Sequence, residues 1–169
     1  MNHKLLIKGL QKNKLVFKEL LRGIPKEEYV WKDKPSRWCL LEIVSHLYDE
    51  EHEDFRKRTK HILDTPDQQF APIDPEGWVE ERRYIEQEYE VMLHRFLEER
   101  QASINWLTSL INPKWENITH HPDIGPMTAS QFLANWLAHD YLHFNQITKL
   151  KLDYLKYVSK ENFSYAEGV

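Results

Sequence analysis

The chain of 169 residues is 41% hydrophobic, with 6 Trp, 8 Tyr and 7 Phe, enough for one substantial core and a single domain spanning 1–169. Only 5 Gly and 8 Pro exclude collagen-like, low-complexity and turn-rich all-β architectures. A formal net charge of -4, from 23 Lys+Arg and 27 Asp+Glu with no basic block, argues against nucleic acid as a partner.

In chain order, Leu6, Leu10, Phe17 and Leu21 recur at helical spacing, and Gly23-Ile24-Pro25 ends a first helix of about 4 to 22. Pro35-Ser36 opens a second, about 37 to 63, carried by Leu40, Ile43, Val44, Leu47, Phe55 and Ile62 and closed before Pro66. Thr65 to Gly77 contains three prolines and reads as a long connection, of the kind that often covers functional openings. Ile85, Tyr89, Met92, Leu93, Phe96, Ile104, Leu107 and Ile111 mark a third helix, about 79 to 110, stopped by Asn112-Pro113. A second loop, 112 to 127, precedes Thr128-Ala129-Ser130-Gln131, which has capping-box form. The fourth helix then runs from about 129 to 150 or on to Val158, and the tail from about 159 is expected to be loosely ordered. Four amphipathic helices without a strand pattern predict an all-α four-helix bundle, with a crossover between helices two and three long enough to break simple up-and-down order.

The single cysteine, Cys39, cannot form an intramolecular disulfide, and no apolar leader or run of roughly 18 apolar residues is visible, so a cytoplasmic chain without membrane contact is expected. The sequons Asn117-Ile118-Thr119 and Asn162-Phe163-Ser164 then read as chance.

On helical wheels, ionisable residues fall where core should be. His139, Asp140 and His143 lie within the stripe set by Phe132, Leu133, Trp136, Ile147 and Leu150. The i,i+4 pair His139 and His143 can converge on one cation, and His46, beside Ile43 and Leu47, is the best third ligand. Three neutral imidazoles would leave coordination positions open, as catalytic centres do. A hydrogen-bonded core histidine is the plainer alternative for each. His3, His52, His61, His94, His120 and His121 read as surface or loop residues. Asp140 replaces the glutamate of a metalloprotease HExxH motif, which excludes that class. Arg100 also falls inside its stripe and needs a carboxylate, predicted to be Glu51 or Asp140. Glu50, one turn beyond His46, is the candidate base, with a solvated acidic run as its alternative, and Gln146 can support His143.

Trp38 to Glu51, together with the stretch from His121 through Thr128 and Gln131 to Ile147, resembles the DinB-like superfamily of metal-binding helical bundles, which includes bacillithiol transferases. The resemblance covers about residues 30 to 150 and places Arg100 where the family usually has an arginine. It implies up-down-down-up order, a homodimer, and His46, His139 and His143 as metal ligands, with nickel or zinc ahead of iron or manganese. The activity expected from it is that of a metal-dependent hydrolase or a low-molecular-weight-thiol S-transferase acting on a small molecule. The alternatives are a non-catalytic metal-binding or dimeric stress-associated scaffold and, ranked last, maleylpyruvate isomerisation, which needs a cationic pocket that Arg100 alone hardly supplies.

Overall fold

The computed structural model describes residues 1–122 and 124–167. Asp123 of the His121–Thr128 motif, and Gly168 and Val169 of the tail, lie outside the described residues.

Helix α1, His3–Leu21, opens on Asn2, whose side chain accepts the Leu5 N–H at 3.1 Å, and ends before Gly23 at φ 66. A single turn, α2 (Lys26–Tyr29), leads to α3, Leu40–Asp49, where the Glu42 carboxylate accepts the Cys39 N–H at 2.9 Å. The second long helix does not continue as one regular α-helix. It passes through a π-helical segment, Glu50–Phe55, into α4, Arg56–Asp64.

The third helix, α6 (Tyr89–Ser109), starts ten residues later than its apolar spacing predicts. Residues 78 to 88 form instead a short helix α5, Trp78–Glu81, and a 3₁₀ turn, Tyr84–Glu86, separated by Arg83 at φ 50. Tertiary contacts override helical propensity here: the Tyr84 hydroxyl donates to Asp49 at 2.6 Å, and Arg82 pairs with Asp49 at 2.9 Å and Glu53 at 2.6 Å. The predicted loop before the last helix contains a hairpin, β1 (Ile118–His121) against β2 (Gly125–Thr128), with Ile118 opposite Thr128. Asn117 anchors it by donating to the Ile62 and Leu63 carbonyls, both at 3.0 Å. Helix α7, Ala129–Ser159, has the expected capping box: Thr128 Oγ1 accepts the Gln131 N–H at 3.0 Å and Gln131 Oε1 accepts the Thr128 N–H at 2.8 Å. A last turn, α8, spans Ser164–Glu167.

Side-chain pairings fix the helix directions. His3–Ser130, Asn13–Asp140 and Phe17–Phe144 make α1 parallel to α7, whereas Lys14–Gln101 and Phe17–Phe96 make it antiparallel to α6. Arg100–Glu51 and Arg56–Ser103 set the second helix parallel to α6, and His46–His143 with Phe55–Phe132 set it antiparallel to α7. The order is up-down-down-up. Two apolar clusters fill the bundle. One joins Phe17, Leu21, Leu40, Ile43, Leu47, Leu93, Phe96 and Ile147; the other joins Leu10, Phe55, Ile62, Ile104, Leu107, Leu133 and Trp136. Among the described residues no helix is long and apolar enough to cross a membrane.

Candidate metal centre

Between the apolar clusters lies a polar layer to which every long helix contributes: Asn13 from α1, Glu51 from the π segment, Arg100 from α6 and Asp140 from α7, each buried. Arg100 donates from Nη1 and Nη2 to the two Asp140 carboxylate oxygens, both at 2.7 Å, and its Nε lies 2.9 Å from Glu51 Oε2. It thus engages both predicted partners. Asn13 Nδ2 donates to Asp140 at 3.0 Å and Trp136 Nε1 donates to Glu51 at 3.0 Å, which reduces the cost of burying the two carboxyls. Burial raises the Glu51 carboxyl more than Arg100 lowers it, whereas the guanidinium is held above its ordinary range by both carboxylates. The bidentate geometry makes Asp140 the firm counter-ion, leaving Glu51 as the weaker partner of a charge that arginine cannot discard.

Beside this layer the three predicted histidines meet. Because His139 and His143 are one helical turn apart on α7, their rings face the antiparallel α3 together, and their centroids lie 4.3 Å apart. The His46 ring centroid is 5.6 Å from that of His139 and 5.1 Å from that of His143. One ring nitrogen from each residue lies within 4.8 Å of the others. His46 is 6% and His143 7% exposed, and His139 is half-buried. Trp38 covers His46 at 4.8 Å and Phe55 covers His139 at 4.9 Å, ring to ring.

The environment keeps all three imidazoles neutral. Burial, reinforced by His143, pushes His46 down to about 3. His139 is driven well below its ordinary value by burial, by its two histidine neighbours and by Arg100. His143 is also lowered by burial, with Gln146 and Asp140 opposing. Gln146 Oε1 sits 2.8 Å from His143 Nδ1; accepting that proton leaves Nε2, which faces His139 Nε2 at 3.0 Å, as a lone pair. His46 Nδ1 is buried with no hydrogen-bond partner. Neutral nitrogen donors on two helices, one orphaned and one aimed by a neighbour, fit a borderline transition-metal ion and not the oxygen-seeking Mg²⁺ or Ca²⁺.

Glu50, the candidate base, is 5% exposed, and the charges acting on it are those of Asp54, Arg58 and Asp49. Burial first, then Asp54, pushes its carboxyl up to about 8. His3, partly exposed at the start of α1, stacks on Trp115 at 4.6 Å and shares a 2.6 Å hydrogen bond with Ser130. A second group that sequence spacing did not single out, Asp49, His52 and Glu53, also brings ligand-type atoms together, but Arg82 already neutralises its two carboxylates. Its three members lie in an acidic run that reads as a solvated helical face, and Arg82 lies in the predicted third helix, so spacing carried no signal for the group.

A bundle whose polar interior gathers three histidines from antiparallel helices belongs to the class that builds sites on facing helices. The DinB superfamily model matches residues 10–147, and the chain belongs to that superfamily. Its structure is similar to that of YfiT from Bacillus subtilis, described as "a probable metal-dependent hydrolase with an unusual four-helix bundle topology". That similarity has a TM-score of 0.79 at 19% identity and covers 89% of this chain and 86% of that one. No curated protein matches the sequence.

Proposed function

We propose that the protein is a metal-dependent enzyme acting on a small molecule, with His46, His139 and His143 holding a divalent ion, nickel or zinc ahead of iron or manganese. The observation that carries this reading is the approach of one nitrogen from each of the three histidines to within 4.8 Å in surroundings that disfavour their protonation. When bound, such an ion supplies Lewis acidity and lowers the pKa of a water or thiol, which suits a hydrolase or a low-molecular-weight-thiol S-transferase. Gln146 selects the His143 tautomer, and Trp38 and Phe55 shield the rings from bulk water. The Arg100–Asp140 pair holds α7 in register against α6. Glu50, directly after α3, which carries His46, is the candidate proton donor or acceptor, its carboxyl pushed up to about 8 by burial and then by Asp54. The likeness of the fold to that of YfiT supports hydrolysis, and the family resemblance of the sequence is the ground for proposing a homodimer.

Protein purified without an affinity tag is expected to carry close to one equivalent of transition metal. At a free metal concentration ~100-fold over Kd, the folded state should gain about 2.7 kcal/mol. His143→Ala should lose both metal and turnover while remaining folded. Less than about a tenth of an equivalent, with no rise in Tm on adding nickel or zinc, would refute the metal reading and favour the scaffold alternative.

A further inference from the structure

A cavity of about 400 Å³ lies against the histidine cluster, between the turn at residues 33–38 and the middle of α7. Trp38 and Gln146 form part of its wall, and the same two side chains touch His46 and His143. The cavity and the proposed metal centre therefore share a partition one side chain thick.

The charges around the cavity come as two pairs. Arg37 Nη1 lies 3.1 Å from Asp33 Oδ2, and Lys149 pairs with Asp153. The cations are the reachable members: the Arg37 and Lys149 side chains are 49% and 55% exposed, against 18% and 21% for Asp33 and Asp153. A guanidinium offers five donors and an ammonium three, so both retain N–H groups after serving one carboxylate. Asp33 has unused capacity of the opposite kind: its side chain is 18% exposed, and its Oδ2, beyond the Arg37 contact, can accept a further hydrogen bond. A purely anionic ligand would use the spare donors and leave Asp33 unsatisfied; a purely cationic one would meet Arg37 and Lys149 with like charge. A molecule with adjoining carboxylate and ammonium groups answers both, and Leu150 with the Trp38 ring offers an apolar wall for the rest of it.

We infer that this cavity recognises the amino-acid-type head of a zwitterionic small molecule, its carboxylate held by Arg37 and Lys149 and its ammonium by Asp33. As the substrate class of the centre, this rests on the proposed function above; as a binding site, it stands on the cavity itself. The test is titration calorimetry on the metal-loaded protein with L-phenylalanine, N-acetyl-L-phenylalanine and L-phenylalaninamide. L-Phenylalanine should bind at least about tenfold more tightly than either derivative, and Arg37→Gln or Lys149→Gln should each weaken it about tenfold, since both remove charge-assisted hydrogen bonds. His143→Ala should retain that affinity even though it loses metal. Equal affinity for the three compounds, or no dependence on Arg37 and Lys149, overturns the inference. Binding abolished by His143→Ala but untouched by the Arg37 and Lys149 substitutions would mean chelation of the ion, which overturns the cavity assignment and leaves the metal reading standing. Arg37-dependent binding by a protein that takes up no metal would support the cavity and sink the metal reading.

Discussion

Arg100→Met tests the charge layer at the centre of the bundle. The substitution keeps an apolar stem in place but leaves two carboxyls, Asp140 at 0% and Glu51 at 1% side-chain exposure, without the cation they share. Removing one member of a buried ion pair costs about 3–5 kcal/mol, because the remaining charge is stranded away from water. At roughly 2–4 °C per kcal/mol for a domain of this size, Tm should fall by roughly 6–20 °C. The deficit should also depend on pH. The stranded carboxyls hold protons in the folded state that they release when unfolded, so stability falls as pH rises above the unfolded carboxylate value, and the variant suffers more at pH 8 than at pH 5. Adding Asp140→Asn and Glu51→Gln removes the stranded charge but keeps oxygen acceptors for Asn13 and Trp136, and should restore more than half of the loss. Urea denaturation of the three proteins at both pH values measures all of this. An Arg100→Met protein within about 1 kcal/mol of wild type at pH 8, or a triple variant no more stable than the single one, would refute the assignment of a buried, mutually dependent charge layer.

Three further outcomes follow from the same geometry. Glu50 has a folded value of about 8 against an ordinary 4.5, so the wild type should lose stability as pH climbs between those values. Glu50→Gln should flatten that profile in denaturant titrations and be the more stable protein at pH 8, by at most ~5 kcal/mol. Cys39 is fully buried and its thiol is raised to about 11 by that burial, so iodoacetamide at pH 8 should leave the native protein unlabelled and modify it stoichiometrically in urea; rapid native labelling would contradict the packing. Gln146→Leu removes the acceptor on His143 Nδ1 at an exposed position, so metal affinity should drop ~10–100-fold in competition with a chelator while metal-free stability stays within about 0.5 kcal/mol.

The long helices were legible because their apolar residues repeat at helical spacing and their ends carry chemical signals, most plainly the Thr128–Gln131 box that the structure forms. The histidine cluster was legible for a related reason: an ionisable residue inside an apolar stripe has to be answered from a neighbouring helix, and His46, His139 and His143 answer one another. Helix three begins late because Ile85, whose spacing opens the predicted stripe, is 46% exposed, while its neighbour Tyr84 is buried against Asp49. The hairpin was invisible because each strand buries only one side chain, Thr119 or Met127, which is too few to register as alternation. The π segment left no signature at all. It falls in an acidic run that reads equally well as a solvated helical face, and only the long-range contacts of Glu51 and Phe55 distinguish the two.

The histidine cluster and the charge layer depend on the same helix placements. On α7, Asp140 follows His139 directly, so the two point about 100° apart, one to Arg100 on α6 and the other to His46 on α3. On the second helix, His46 and Glu51 divide in the same way, toward His143 and toward Arg100. A rotation of α7 by one residue would withdraw Asp140 from the guanidinium and the imidazoles from His46 together. An apolar layer would tolerate such a slip, because hydrophobic contacts are non-directional, whereas a bidentate pair at 2.7 Å does not. Burying three charges is a poor way to gain stability and an effective way to fix register. On that reading the layer sets the rotation of α7 on which the approach of His139 and His143 to His46 depends.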